Sequence, residues 1–224
     1  MSEVMGWESA YREVGDFEGP APWNIGEPQP ELAALIRAGK VRSDVLDAGC
    51  GYAELSLALA ADGYTVHGVD VAPTAIAVAT KAAADRGLRN ASFQQADITT
   101  FTGFDGRFNT IIDSTLFHSL PVGRRDGYLR SVSAAAAPGA GYYVLVFARG
   151  AFPADMQTAT KPNEVDEDEL RSTVSKYWAV DQIRSAFIHA NAPRIPGIAM
   201  PSFERDEKNR VKFPAYLLAA HKAN

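Results

Sequence analysis

The spacing of apolar and polar positions divides the chain into short extended runs and longer helix-period runs. Residues 5–15 place Trp7, Tyr11 and Val14 on one face at three- and four-residue spacing, which predicts a short helix. Residues 19–30 hold four prolines and two glycines around Trp23 and Ile25, a rigid irregular segment rather than a helix or central strand. Pro30 then opens a helix with Leu32, Leu35 and Ile36 facing inward, and Gly39 closes it. Val45 to Leu59 reads as a strand ending at Asp47, a turn carrying Gly49 and Gly51, and a helix that Gly63 stops. Strands are predicted at Thr65–Asp70, Ala91–Gln95, Phe108–Asp113 and Gly141–Phe147, with helices at Pro73–Arg86 and Arg124–Ala137 between them. This alternation predicts an α/β fold with a parallel, doubly wound sheet and right-handed crossovers.

The last third breaks the alternation. A helix over Asp166–Tyr177 begins in acidic residues, and the run Glu164, Asp166, Glu167, Asp168 and Glu169 reads as a solvated helix start. Two strands, Ala179–His189 and Val211–Ala220, follow with no helix between them, most simply an antiparallel hairpin at the end of the sheet. The roughly 20 residues joining them set Pro193, Pro196, Gly197 and Pro201 beside Ile195, Ile198, Met200 and Phe203. An apolar, proline-stiffened loop of that length is expected to cover a site. The 224 residues fit a single domain: an N-terminal lid over 1–30, a ligand-binding core over 40–150 and a covering loop over 193–208.

Composition adds exclusions. A net charge of −5 with no Lys/Arg run argues against nucleic acid as a partner. The single cysteine, Cys50, permits neither an internal disulfide nor a Cys-built zinc site, and between two glycines it reads as a packing residue. The start has no basic, apolar leader, and no apolar run approaches the ~20 residues that span a bilayer. A cytoplasmic protein without membrane contact is the expectation, as monomer or homodimer.

The chemistry centres on the glycine turn. Glycines at 49 and 51 let backbone turn sharply and approach a ligand, but the third glycine of a dinucleotide fingerprint is replaced by Glu54. Asp47, directly before the turn, would repel a pyrophosphate and suits the ammonium and sulfonium of S-adenosylmethionine. Asp70 ends the second strand, where a carboxylate accepts both ribose hydroxyls, with Val71 beside it. Asp97 ends the third strand, where it can take an adenine amino group while Ile98 covers the ring.

The ordered set Val45-Leu-Asp-Ala-Gly-Cys-Gly51, Val69-Asp70, Ala96-Asp97-Ile98 and Ile111-Ile-Asp113 resembles class I S-adenosylmethionine-dependent methyltransferases over residues 40–150. The resemblance implies a Rossmann-like seven-stranded sheet, and S-adenosylmethionine as cofactor held by Asp47, Gly49, Gly51, Asp70, Val71, Asp97, Ile98, Asp113 and Ser114. Gly19 to Pro30 further resembles the N-terminal segment of thiopurine-methyltransferase-like enzymes, and of small mycobacterial enzymes that methylate heterocyclic toxins such as hydroxyquinolones. There the segment folds over the cofactor, which implies that Trp23 and Ile25 do so here.

The chain after the fourth strand, Asp113-Ser-Thr-Leu-Phe-His-Ser-Leu120, lies where an acceptor would sit. His118, with an ordinary pKa of about 6.5, is a candidate general base, or else a structural histidine at a helix start. Asp113 either orients a ligand or caps the turn after it. Phe117 either flanks a ligand or is buried, and Trp7 and Tyr11 either close the pocket or pack the helix. His67, His189 and His221 read as structural. The fourth strand lacks the Asn/Asp-Pro-Pro-Tyr of amino-methylating nucleic-acid enzymes, and no Asp-Asn pair follows Asp113 to recruit magnesium, so no metal is expected. A mostly apolar pocket with Trp7, Tyr11, Phe117, His118, Ile195, Ile198 and Met200 as acceptor contacts suits a flat aromatic heterocycle methylated on a hydroxyl, N-hydroxyl or thiol. The alternatives are methylation of a quinone, lipid or other metabolite, a non-catalytic S-adenosylmethionine module, and a dinucleotide oxidoreductase, the last disfavoured by Glu54 and Asp47.

Overall fold

A computed structural model describes residues 6–12, 21–152, 162–192 and 203–223. The strands β1 (Val45–Ala48), β2 (Val66–Asp70), β3 (Ala91–Gln95), β4 (Phe108–Ser114), β5 (Ala136–Phe147), β6 (Ala179–Ala190) and β7 (Val211–His221) form one sheet in the order β3-β2-β1-β4-β5-β7-β6. The first five are parallel, and β7 lies antiparallel between β5 and β6, as the missing helix between the last two strands implied. The order reverses at β1, so the carboxyl ends of β1 and β4 flank a crevice, where ligands of such sheets bind.

The helices are α1 (Trp7–Tyr11), α2 (Pro30–Arg37), α3 (Glu54–Ala61), α4 (Pro73–Asp85), α5 (Arg125–Ala135) and α6 (Glu167–Val174). Pro30 and Pro73 open α2 and α4, where a missing N–H leaves nothing unpaired. Along β5, Tyr142, Val144 and Val146 enter the core beneath α5 and α6, while Leu145 and Phe147 face the opposite layer with Leu32, Leu55 and Leu59. Each such aliphatic side chain removed from water stabilises the fold by about 1.5–3 kcal/mol. In β4 the alternation slips: Phe108 and Ile111 share a face because the pairing register shifts between Phe108 and Thr110.

Three expected boundaries are corrected. The first helix ends at Tyr11 rather than 15, with Arg12 capping it. Helix α5 stops at Ala135, and β5 starts at Ala136 rather than Gly141. Pro138 has no N–H to donate and disfavours helical Ala137, so the chain turns extended earlier than its apolar pattern suggests. Helix α6 ends at Val174, three residues early, where the chain leaves the axis to stack Trp178 on Tyr142 with ring centroids 4.6 Å apart. Among the described residues no helix is long and apolar enough to cross a membrane.

Candidate active site

The glycine turn after β1 is built by its neighbours. Gly49 and Cys50 N–H both donate to the Val69 carbonyl (2.8 and 3.0 Å), and Gly51 N–H donates to Asp70 Oδ2 (2.9 Å). Gly51 has φ +53°, and a Cβ there would stand 2.7 Å from the Tyr11 hydroxyl. Glycine is therefore required twice over, by conformation and by space. Within β2, a Cβ at Gly68 would lie 2.7 Å from the Phe93 ring and 2.9 Å from Cys50 Sγ. Cys50 fills that gap; burial pushes its thiol pKa well up, which suits packing and not nucleophilic attack.

Two buried carboxylates face this end of the cavity. Asp47 is 1 % exposed and accepts the Ser56 hydroxyl at 2.6 Å. Burial raises its carboxyl pKa to about 6, with the Ser56 bond opposing and the Asp70 charge adding. Burial also raises Asp70, against the bonds from Ala72 N–H (2.9 Å) and Gly51 N–H. Two acids held in an apolar crevice favour a cationic ligand, which would stabilise their ionised forms. Asp97 differs. Burial raises it, but the Thr99 hydroxyl (2.7 Å) and N–H (3.0 Å) and the Arg124 guanidinium outweigh burial and leave it below the usual carboxylate range.

Asp113 and Phe117 do not line the cavity. Asp113 is fully buried; its Oδ1 accepts Leu116 N–H (2.7 Å) and Phe117 N–H (3.2 Å), and its Oδ2 accepts the Tyr128 hydroxyl (2.7 Å). Burial pushes the carboxyl pKa up to about 7. The tyrosine chain continues inward, Tyr142 donating to Tyr128 at 3.1 Å. Asp113 thus caps the turn after β4 rather than meeting a ligand, which corrects its catalytic and cofactor-contact assignments. Phe117 packs in the core beneath the Arg125 guanidinium, 4.7 Å from the ring centroid, which corrects its assignment as an acceptor contact.

His118 does reach the cavity, in a geometry that does not suit a base. Its Nδ1 accepts the Phe147 N–H at 3.3 Å, its ring lies 4.5 Å from that of Phe147, and it is 3 % exposed. Burial, helped by the Arg125 charge, drives its pKa down to about 3. A neutral ring accepting at Nδ1 carries its proton at Nε2, so neither nitrogen is a vacant base. The residue just before this turn, Thr115, has φ +77°, a strained conformation for a β-branched side chain.

A cavity of about 350 Å³ joins these parts, within the range of about 300–1,000 Å³ usual for small-molecule sites. Of the residues expected from sequence, it brings together Trp7, Tyr11, Trp23, Ile25, Asp47, Gly49, Gly51, Asp70, Val71, Asp97, Ile98, Ser114 and His118. Ile195, Ile198 and Met200 lie outside the described residues. Tyr11 stands over Gly51 beside Asp70, on the glycine-turn side of the cavity rather than the acceptor side. Sequence reasoning missed Arg124 and an aromatic wall of Phe147, Phe152 and Phe213, whose centroids lie 4.9–5.6 Å apart. Phe147 was discoverable as the last residue of a parallel strand. Phe213 lies near the start of an antiparallel one, which the rule about carboxyl ends does not reach.

The segment before α2 roofs the cavity and is tied to the β6–β7 hairpin. The Gln29 side chain donates to the His189 carbonyl and accepts its N–H, both at 2.8 Å. Asn191 bonds the carbonyls of Pro22 (2.8 Å) and Asn24 (2.7 Å). Glu27 pairs with Lys208 and Arg210 at 2.6 Å, and Arg210 with Asp206 at 2.6 Å. Helix α1 joins this roof through Trp7 and Trp23, 5.7 Å apart, and is pinned to α4 by Glu8, which accepts the Thr74 N–H and hydroxyl.

Comparison with known proteins agrees with this architecture. Residues 45–139 match the model of the methyltransferase domain. The chain is 52 % identical over 221 residues to the 2-heptyl-1-hydroxyquinolin-4(1H)-one methyltransferase of Mycobacteroides abscessus, covering 96 % of each. A solved structure from work on conversion of a disulfide bond into a thioacetal group during echinomycin biosynthesis is 33 % identical, with TM-score 0.83, across all of this chain and 93 % of that one. The 1,6-didemethyltoxoflavin-N1-methyltransferase of Burkholderia thailandensis, solved with its substrate and S-adenosylhomocysteine, shares the fold at 18 % identity and TM-score 0.62, over 87 % of this chain and 77 % of that one. The chain belongs to the S-adenosylmethionine-dependent methyltransferases.

Proposed function

We propose that this methyltransferase acts on a flat aromatic heterocycle, transferring the methyl to a ring-borne hydroxyl, N-hydroxyl or thiol, with 1-hydroxyquinolin-4(1H)-ones as the first class to examine. The observation that carries this reading is the cavity's division of labour: acids at the glycine turn, and an uncharged wall of Phe147, Phe152 and Phe213 beside them. The 52 % identical hydroxyquinolone methyltransferase supports the same acceptor class.

S-adenosylmethionine supplies the methyl on a sulfonium, a good leaving group. Asp70 has a lone pair left on each oxygen for the two ribose hydroxyls, and Asp47 meets the ammonium. Val71, Asp97 and Ile98 receive the adenine, with Trp23 and Ile25 covering the ligand from the roof. The aromatic wall holds the acceptor flat and keeps water out, so that acceptor atom, methyl and sulfur can lie in line. Positioning of this kind can supply about 7–11 kcal/mol of a barrier without any acid or base. Incubation with labelled S-adenosylmethionine and separate panels of N-hydroxyquinolones, thiophenols, quinols and fatty acids tests the reading. Methylated N-hydroxyquinolone or aromatic thiol is expected; preference for the quinol or lipid panel would replace it.

A further inference from the structure

Resting on that reading of the acceptor, we propose that His118 serves as a neutral Nε2–H donor to the acceptor's anionic atom, so that the site takes acceptors that arrive already ionised. Three observations lead there. First, Nδ1 accepts a main-chain N–H from Phe147. Turning the proton onto Nδ1 to free Nε2 as a base would set two donors against each other inside the core. Second, Nε2 has no partner among the described residues, yet it is not one of the fully enclosed orphans there, which are Arg125 Nε and Trp178 Nε1. The His118 ring lines the cavity. Third, among the described residues lining that end of the cavity none carries a carboxylate or a second imidazole. The neighbouring walls are Leu116, Ser119, Leu120, Phe147, Asn163 and Phe213, and the Asn163 amide is spent on the His118 carbonyl at 3.0 Å.

Among the described residues the carboxylates are otherwise engaged: Glu54 faces Arg86 at 3.8 Å, and Glu164, beside Asn163, accepts the Phe152 N–H at 2.9 Å. Asp47 and Asp70 face the glycine turn, Asp97 is bonded to Thr99 and Arg124, and Glu27 is held by Lys208 and Arg210. Burial keeps the imidazole uncharged, helped by the charge of Arg125 of α5, which pairs with Glu169 of α6 at 2.6 Å. Asp113 serves the Leu116 and Phe117 N–H groups instead.

The chemistry balances without a base. The acceptor's anionic oxygen or sulfur uses one electron pair to form the bond to the methyl carbon. The carbon–sulfur bond breaks, its pair stays on the departing thioether sulfur, and cation and anion become two neutral products. No proton moves. The donor fixes the attacking atom, and the class selected is the acidic N-hydroxyl or thiol rather than the aliphatic alcohol.

The test follows kcat/KM against pH for several N-hydroxyquinolones whose hydroxyl pKa values differ by several units. The inflection should move with each acceptor's own pKa and be the same in His118→Gln, which keeps a donor. His118→Phe, which has none, should raise KM for the ionised acceptor about tenfold or more, and His118→Gln should recover most of that loss. An inflection common to all acceptors and abolished in His118→Gln would overturn the proposal. Nitrogen-15 shifts of the His118 ring in the S-adenosylhomocysteine complex give a reading independent of turnover. The Nε2–H tautomer is expected from pH 6 to 8, and an Nδ1–H form or a protonated ring there refutes the proposal. If the tautomer is as stated but no N-hydroxyquinolone or thiol is methylated, the acceptor reading has failed rather than the geometry.

Discussion

Cofactor affinity should fall with acidity in a way set by Asp47. Its carboxyl is raised to about 6 by burial, and the ligand's ammonium can pair only with the ionised form. If binding is restricted to that form, the apparent dissociation constant is multiplied by one plus ten to the power of six minus pH. That is about twofold at pH 6 and about tenfold at pH 5, or roughly 1.4 kcal/mol. Burial raises Asp70 in the same direction, whereas the bonds from Thr99 and Arg124 hold Asp97 below the usual carboxylate range, so it adds nothing in this window. Isothermal titration with S-adenosylmethionine from pH 7 down to 5 reads the effect while the ligand's own amine, which titrates near about 7.7–8.0, stays charged. Asp47→Asn should bind weakly at pH 7 and lose most of the pH dependence. The unliganded protein should respond oppositely through this group. A buried acid with a raised folded pKa costs stability once it ionises, so its penalty fades as pH falls through 6 toward the unfolded value near ~4. Wild-type affinity that is flat between pH 7 and 5, or that rises, would refute the pairing of Asp47 with the ammonium.

Other substitutions separate binding from framework. Asp70→Ala removes both the proposed ribose acceptor and the anchor of Gly51 and Ala72 N–H, and should weaken S-adenosylmethionine binding at least about a hundredfold by calorimetry. Asp113→Ala strips the cap from Leu116 and Phe117 and orphans the Tyr128 hydroxyl; urea unfolding should show a loss of about 2–4 kcal/mol, against about 1 for Tyr128→Phe. Gln29→Ala breaks the two bonds joining roof to hairpin at His189, and should raise the dissociation rate of S-adenosylhomocysteine in stopped flow while leaving the melting temperature within a few degrees.

The sheet was legible because its boundaries are written locally. Pro30 and Pro73 open helices, Gly39, Gly63 and Gly87 follow helix ends, and β3 falls at Ala91–Gln95 as expected. The acids of the cavity were legible for the same reason, since Asp70 ends β2, Asp47 sits one residue before the end of β1 and Asp97 two residues past β3. What the sequence hides depends on partners far along the chain. Whether His118 accepts or donates is decided by the Phe147 N–H, 29 positions away, and Asp113 turns inward because Tyr128 and Tyr142 wait there. Phe213 joins Phe147 only because β7 runs backwards beside β5. Tyr11 reads as a lid residue until packing sets its hydroxyl over Gly51.

The central claim is that a cationic methyl donor at the glycine turn meets an anionic heterocycle against the Phe147–Phe213 wall. The most direct measurement supplies S-adenosylmethionine labelled on the methyl carbon together with a 1-hydroxyquinolin-4(1H)-one, and identifies the product by mass and carbon-13 NMR. The account predicts label on the exocyclic oxygen, with one S-adenosylhomocysteine formed per methylated molecule. Label on a ring carbon or ring nitrogen, or S-adenosylmethionine binding with no transfer to any heterocyclic hydroxyl or thiol, would contradict it.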